Sequence, residues 1–207
     1  MKGTLIDGRA RRAEAKRRAR REEILTAAQR AFSKRGYHAT SISDVIDAAG
    51  ISRGTFYLYF DGKDALFLDL IELFAQHIMR VIEVVDPGGP DPTGQIYQNI
   101  RRVVDVVFDH RDLAVVAFRE TVGLDQSVDS KLNKLYGFLR EMIEGALLKG
   151  ASWGIIRQVN ARIVTTALIG GIREVFYQYL VVDPVTYPDR EAVAMSLFEF
   201  AVKGLLP

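Results

Sequence analysis

The sequence predicts an all-α protein of about nine helices, divided into a small N-terminal part and a larger C-terminal part. Three observations predict it. Apolar residues recur at helical spacing along most of the chain. No segment sustains the period-two alternation of a strand. Glycine- and proline-rich breaks fall at intervals that suit helices of ordinary length. With 207 residues, 48% hydrophobic and 26% charged, the chain can build one sizeable core or two smaller ones.

Residues 9–23 read "RARRAEAKRRARREE", with eight Lys/Arg among residues 9–21 and no apolar stripe. Residues 1–21 are therefore read as a basic arm, either disordered or extending the helix that follows. From Glu22 the pattern becomes amphipathic: Ile24, Leu25, Ala28, Ala31 and Phe32 share one face, and Gly36 follows two basic residues as a stop. Ile42, Val45, Ile46 and Ala49 mark a second, short helix that Ser41 or Ser43 can cap. Gly50 turns the chain, and Ser52 can cap a third helix carrying "RGTFYLYF". After the break "FDGKD", a long helix is expected from Lys63 to Val85, with Leu66, Phe67, Leu70, Phe74 and Ile78 inward.

"DPGGPDPTG", residues 86–94, reads as a loop. Helices are then expected over 95–110, 112–122 and 128–149, the last with Leu132, Leu135 and Tyr136 on its apolar face. "KGASWG" breaks the chain again. A helix over 158–181, a loop "VDPVTYPD" and a final helix over 189–205 complete the reading.

Charge is unevenly spread. The net charge is +2, yet residues 1–63 hold 14 Lys/Arg against 7 Asp/Glu, which points one end of the chain toward a polyanion. Cysteine is absent, so disulfides and thiolate metal sites are excluded. With three histidines and no His-x-x-x-His pair, no metal site or cofactor is expected. No nucleophile elbow or phosphate-cradling glycine loop is present, so an enzyme is not expected. Asp105 and Asp109, one turn apart, read as a solvated helix face. No apolar run approaches a membrane span, and the start of the chain lacks the apolar core of a secretory leader. The basic arm has no apolar face with which to lie on a membrane. A cytoplasmic protein with no membrane partner is expected.

Two short helices joined by a glycine turn and packed on a preceding helix match a helix-turn-helix. In that motif the second helix enters the major groove. Ile51 and Phe56 fall inward, leaving Arg53, Gly54, Thr55, Tyr57 and Leu58 outward. Arginine can bond guanine bidentately, glycine lets the backbone approach, threonine can meet a base edge, and tyrosine can reach a phosphate. Lys63, at the next helix start, can neutralise a phosphate.

"TSISDVIDAAGISRGTFYLYFDGKDAL" resembles the DNA-binding domain of the TetR family of bacterial transcriptional regulators. The matching residues are Thr40, Ala49-Gly50-Ile51, Ser52, Phe56-Tyr57, Tyr59-Phe60 and Lys63-Asp64-Ala65-Leu66. The resemblance is specific over about residues 22–68. Gly62 stands where the family usually has serine, and Asp44 and Asp47 stand where neutral or basic residues are common. The resemblance implies a DNA-binding domain over 22–68 and a ligand-sensing and dimerisation domain over 69–207. It implies base contacts from Arg53, Gly54, Thr55, Ser43 and Tyr57, and phosphate contacts from Thr40, Ser41, Tyr57, Tyr59 and Lys63. Phe56 and Phe60 are expected in the core. The basic arm either follows flanking DNA or is a solvated tail.

The partners implied are double-stranded operator DNA, a second copy of the chain and a small-molecule effector. The expected function is a ligand-responsive repressor that binds a palindromic operator as a homodimer, bacterial, cytoplasmic and on the nucleoid when bound to DNA; the alternative is a DNA-binding architectural or activator protein without a small-molecule effector. The dimer interface would draw on Ala167, Leu168, Gly171, Ile172 and Val175 of one helix and Leu197, Phe200 and Ala201 of the last. The effector pocket would draw on Phe74, His77, Phe108, Phe118, Arg119, Tyr136, Phe138, Arg173, Phe176 and Tyr177. These residues suit a hydrophobic or amphipathic ligand.

Overall fold

In the computed structural model, residues 3–119, 126–184 and 189–205 are described; the side chains of residues 3–7 and 126–135 are not. Leu132 and Leu135 therefore lie outside the described side chains, and residues 120–122 of the helix expected over 112–122 and residues 185–188 of the "VDPVTYPD" loop lie outside the described residues. Nine α-helices and no strand occur among the described residues. The chain forms two compact units, one ending at Ile71 and the other beginning at Glu72.

The first unit contains α1 (Gly3–Arg35), α2 (Ile42–Ala49), α3 (Arg53–Tyr57) and the start of α4 (Lys63–Val81). Helix α1 takes in the basic residues 9–21 without a break. Its second half buries Ile24, Leu25, Ala28, Ala31 and Phe32, the face expected from their spacing. Val45 and Ile46 of α2, which packs on α1, are buried in the same unit, as are Phe56 of α3 and Leu66, Phe67 and Leu70 of α4. Tyr37 sits among rings, 5.5 Å from Phe32 and 5.0 Å from Phe67.

The second unit holds α5 (Pro92–Asp109), α6 (Arg111–Arg119), α7 (Gln126–Ser152), α8 (Ala161–Tyr177) and α9 (Arg190–Phe198). A π-helical turn continues α8 over Gln178–Val182, and another continues α9 over Glu199–Lys203. Val104, Val107, Leu113, Val116, Phe176 and Ala194 are among its most deeply buried residues. Asp105 and Asp109 are not a bare solvated face. Arg190 of α9 pairs with both, at 3.4 and 2.7 Å, and its guanidinium lies 5.7 Å from the Phe108 ring centroid.

Several boundaries differ from the sequence expectation, each for a local reason. α4 stops at Val81 rather than Val85. The Asn99 side chain accepts from the Glu83 amide and donates to its carbonyl, and Gln95 accepts from the Asp86 amide. Side-chain amides of α5 thus take backbone groups that a β-branched run holds poorly in a helix. α5 starts at Pro92 rather than Gln95 because Asp91 caps it and proline suits the first helical position. α7 runs through "KGAS" to Ser152, and the chain turns only at Gly154, whose φ of 74° is left-handed. α8 starts at Ala161, where Asn160 accepts from the Ile163 amide.

Candidate functional site

Serines set the geometry of the first unit. Ser41 is the N-cap of α2 in a capping box: its Oγ accepts from the Asp44 amide at 3.1 Å, while Asp44 accepts from the Ser41 amide at 2.7 Å. The Ser41 hydroxyl also donates to Asp44 at 2.7 Å, and Arg35 pairs with the same carboxylate at 3.0 Å. These bonds from Ser41, joined by Arg35, lower the Asp44 pKa to about 2. The Asp44 carboxylate, which stands where neutral or basic residues are common in the family, is thus part of a helix capping box. Gly50 ends α2 in the left-handed conformation, φ 63°, and makes the turn into α3. Ser52 then accepts from the Thr55 amide at 3.1 Å and shares a 2.9 Å hydrogen bond with the Thr55 hydroxyl.

The outer side of α3 carries the nominated residues together. Arg53 and Gly54 are exposed, Thr55 is half-buried, and Tyr57 and Leu58 are 45% and 72% exposed. The Arg53 guanidinium lies 5.8 Å from the Tyr57 ring centroid. Phe56 and Phe60 are buried, their rings 6.1 Å apart, and fix this five-residue helix to the unit. A Cβ on Gly54 would meet only the Ser52 hydroxyl, at 3.9 Å, and the backbone there is ordinary. Nothing inside the unit requires glycine at that position, although glycine costs a helix about 1 kcal/mol against alanine.

Ser43 is exposed on α2 and Tyr59 is half-buried after α3. Lys63 donates to the Tyr37 carbonyl at 3.0 Å and lies 4.2 Å from the Tyr37 ring centroid, at the base of α4. Thr40 is corrected. Its side chain is 1% exposed, and its hydroxyl donates to the Gly36 carbonyl at 2.7 Å. It closes the end of α1 and cannot offer that hydroxyl to a phosphate.

In the second unit four nominated rings form one chain of contacts. Phe74 meets Phe118 edge-on at 5.7 Å, Phe118 stacks on Phe176 at 5.5 Å, and Phe176 meets Phe108 at 5.9 Å. His77 stacks on His110 at 3.9 Å. Burial, with His110 and then Arg80 beside it, holds the His77 pKa below the ordinary value. Tyr136 and Tyr177 are half-buried, and burial raises the Tyr136 pKa against the opposing pull of Arg173. Arg119 is exposed, as is Phe138 at 56%, so Phe138 does not join the buried rings.

A surface cavity of about 310 Å³, lined in part by Val84, Gln95, Asn99 and Arg102, includes none of the nominated residues. Among the described residues no group of three or more His, Asp or Glu side chains is placed to hold a metal. None of the described helices is long and apolar enough to cross a membrane.

The nominated interface residues divide. Leu197 and Ala201 are 6% and 9% exposed, so they serve the core of their own protomer, a correction to the expectation. Phe200 is 64% exposed and lies against Gly171, where a Cβ would come within 3.3 Å of its ring. Ala167 is exposed, and Leu168, Ile172 and Val175 are half-buried. Ile163 and Met195, which the sequence reading missed, are 66% and 41% exposed. Thr165 was also missed. It is fully buried, and its hydroxyl has no hydrogen-bond partner among the described residues. Its neighbour Thr166 donates to the Arg162 carbonyl at 2.9 Å. The two threonines are adjacent in "VTTAL", so spacing alone cannot tell which is buried.

A capped helix, a left-handed glycine turn and a short outward helix presenting Arg53, Gly54 and Thr55 define a helix-turn-helix DNA-binding protein. The family model described as bacterial regulatory proteins of the tetR family matches residues 24–70. The transcriptional regulator HbdR of Aromatoleum sp. (strain CIB) is 30% identical over 193 residues, covering 90% of this chain and 78% of its own. The chain belongs to the TetR family of transcriptional regulators. Solved structures share the fold. FadR from Bacillus subtilis in complex with stearoyl-CoA has a TM-score of 0.74 at 24% identity, over 89% of this chain and 98% of its own. AibR in complex with isovaleryl coenzyme A and operator DNA has a TM-score of 0.70 at 18% identity, over 88% and 98%.

Proposed function

We propose that the protein is a ligand-responsive repressor that binds a palindromic operator as a homodimer and is released by an acyl-coenzyme A effector. The observation that carries the DNA reading is the outward side of α3. Arg53 and Gly54 stand exposed and Thr55 half-buried on a helix held from behind by Phe56 and Phe60, and Gly54 has no internal reason to be glycine. Arg53, Gly54, Thr55, Ser43 and Tyr57 read bases. Ser41, Tyr57, Tyr59 and Lys63 take phosphates, Ser41 keeping its cap and Lys63 turning from the Tyr37 carbonyl.

Residues 22–68 serve as the DNA-binding domain and residues 69–207 as the sensing and dimerisation domain. Dimerisation follows from operator half-sites spaced by helical turns. It is supported by the exposed apolar residues Ile163, Met195 and Phe200 on the last two helices. The protein acts in the cytoplasm, on the nucleoid.

The effector class is supported by the acyl-CoA ligands of FadR and AibR and by the chain of rings, of which Phe74, Phe108 and Phe176 are buried and Phe118 is half-buried. Phe74, Phe118, Phe176 and Phe108 offer an apolar wall to an acyl tail. Tyr136 and Arg173 offer polar contacts at its head. Release requires that the effector bind the operator-incompetent state more tightly than the competent one. α4, whose residues belong to both units, carries the coupling.

The test is operator binding by the full chain on DNA from its own upstream region. Short and long acyl-CoAs are titrated in, with free fatty acid and coenzyme A as controls. Selective release by one acyl-CoA length class supports the reading. Sequence-specific binding untouched by any acyl-CoA overturns the effector class, and binding without sequence preference overturns the regulator.

A further inference from the structure

The first half of α1 is dense in positive charge; within the helix Arg18 lies 3.9 Å from Glu14 and Arg20 pairs with Glu23 at 2.6 Å. From Arg9 to Ala19 every residue is exposed, and the helix runs on without a break into the buried segment that begins at Ile24. Arg9, Arg12, Lys16 and Arg20 are spaced three, four and four residues apart and so share one face. Arg17 and Arg21 form a second row beside them. Among residues 9–21 the single acidic side chain is Glu14, 3.9 Å from Arg18.

We infer that this protruding half of α1 is a second, sequence-independent DNA-binding surface, lying along the phosphates that flank each half-site. The inference rests on the proposed DNA-binding function and adds a surface to it. Three features support it. Like charges one turn apart, as in Arg12 with Lys16 and Lys16 with Arg20, disfavour the helix when alone, and a polyanion relieves that repulsion. Between Arg9 and Arg21 no apolar residue is larger than alanine, so this stretch has no face for a membrane but a narrow stem that lets guanidinium groups close on phosphates. Finally, the base of the arm is fixed. Arg21 pairs with Asp69, and its guanidinium lies 5.1 Å from the ring centroid of Phe60, three residues beyond α3. The arm therefore leaves the unit beside the junction that carries Tyr59 and Lys63.

Eleven helical steps from Arg9 to Arg20 cover about 16 Å. A duplex presents one charge per about 1.7 Å, so four contacts fit within that length. The full chain and a variant with Arg9→Gln, Arg12→Gln, Lys16→Gln and Arg20→Gln are compared for affinity across a salt series. Two duplexes are used, one trimmed to the half-sites and one with flanks. The variant is expected to lower the slope of log affinity against log salt by about 3–4, at about 0.9 per phosphate, on the flanked duplex only. A variant with Arg9→Lys, Arg12→Lys and Arg20→Lys keeps the charges and is expected to keep the slope. Equal slopes for the Gln variant and the parent overturn the inference, as does equal affinity for trimmed and flanked duplexes. Binding of the parent to phosphatidylglycerol vesicles with an unchanged DNA slope assigns the arm to membrane and also overturns it. If neither protein prefers operator to random DNA, the regulator reading fails, and the slopes on random duplex still decide the arm.

Discussion

Arg53 lies over the ring of Tyr57, its guanidinium carbon 5.8 Å from the centroid, on the exposed side of a five-residue helix. The ring limits where the guanidinium can point, and the fork needs only one direction to meet a guanine edge. Arg53→Ala should therefore cost about 1–3 kcal/mol of discrimination at one operator position and flatten preference there. Binding to operators substituted base by base measures it. An unaltered profile would remove Arg53 from the base contacts.

Gly54 should separate stability from function. Alanine has room there and favours the helix, so Gly54→Ala should stabilise the fold by about 0.5–1 kcal/mol. The same methyl should weaken operator binding by at least about tenfold, because in the proposed reading the backbone at Gly54 meets the groove. Denaturant midpoints and operator titrations on one preparation test both halves. A variant that is more stable and binds equally well would leave the glycine without a role.

The capping box gives a pH signature. The Asp44 pKa falls from 3.8 to about 2 on folding, chiefly through its bonds with Ser41 and then Arg35. A depressed carboxylate pKa means that the stabilisation is complete above about pH 4 and is lost as pH falls toward 2. The melting-temperature difference between the parent and Asp44→Asn should be constant near neutrality and shrink across that window. A difference that persists unchanged at pH 2 would argue against the carboxylate as its source.

Thr165 should gain from losing its hydroxyl. The buried oxygen has no partner among the described residues, and leaving such a group unpaired costs about 1–3 kcal/mol. Thr165→Val keeps the shape and should raise the melting temperature in the absence of effector. A clear loss of stability would reveal a partner for the hydroxyl.

Two residues on the last helical segment should behave in opposite ways. Phe200 is 64% exposed and Leu197 is 6% exposed. Phe200→Asp should shift the protein toward monomer while leaving its helical content intact. Leu197→Ala should lower stability by about 2–5 kcal/mol with little specific effect on association. Sedimentation and thermal melts distinguish them. A dimer undisturbed by Phe200→Asp would move the interface elsewhere.

Much of this was legible in the chain. Where one helix meets one core, spacing decides burial, so Ile24, Phe32, Val45, Phe56 and Leu70 could be assigned from periodicity alone. Punctuation was equally clear where the signal is local, as at Gly50 and Ser52, while the choice between Ser41 and Ser43 as the cap of α2 came only with the structure. Signals that depend on a distant partner were not. Nothing in "VIEVV" says that Asn99 will take the Glu83 backbone and end α4 early. Nothing in a threonine before a capped helix says that Thr40 will fold back onto the Gly36 carbonyl.

The sequence by itself determined the all-α class, the helix-turn-helix and the outward set from Arg53 to Tyr57. It could do so because helix period, caps and a left-handed glycine are set by neighbours within a few residues. Only the tertiary structure decided which apolar residues of the last two helices are core and which are free. Leu197 and Ala201 turn in, Phe200 and Met195 turn out, and all four lie in one apolar stretch. It also brought Phe74, Phe118, Phe176 and Phe108 into one chain of rings from four different helices. The reason is physical: an amphipathic pattern records that a face is covered, while what covers it is fixed only when the helices pack.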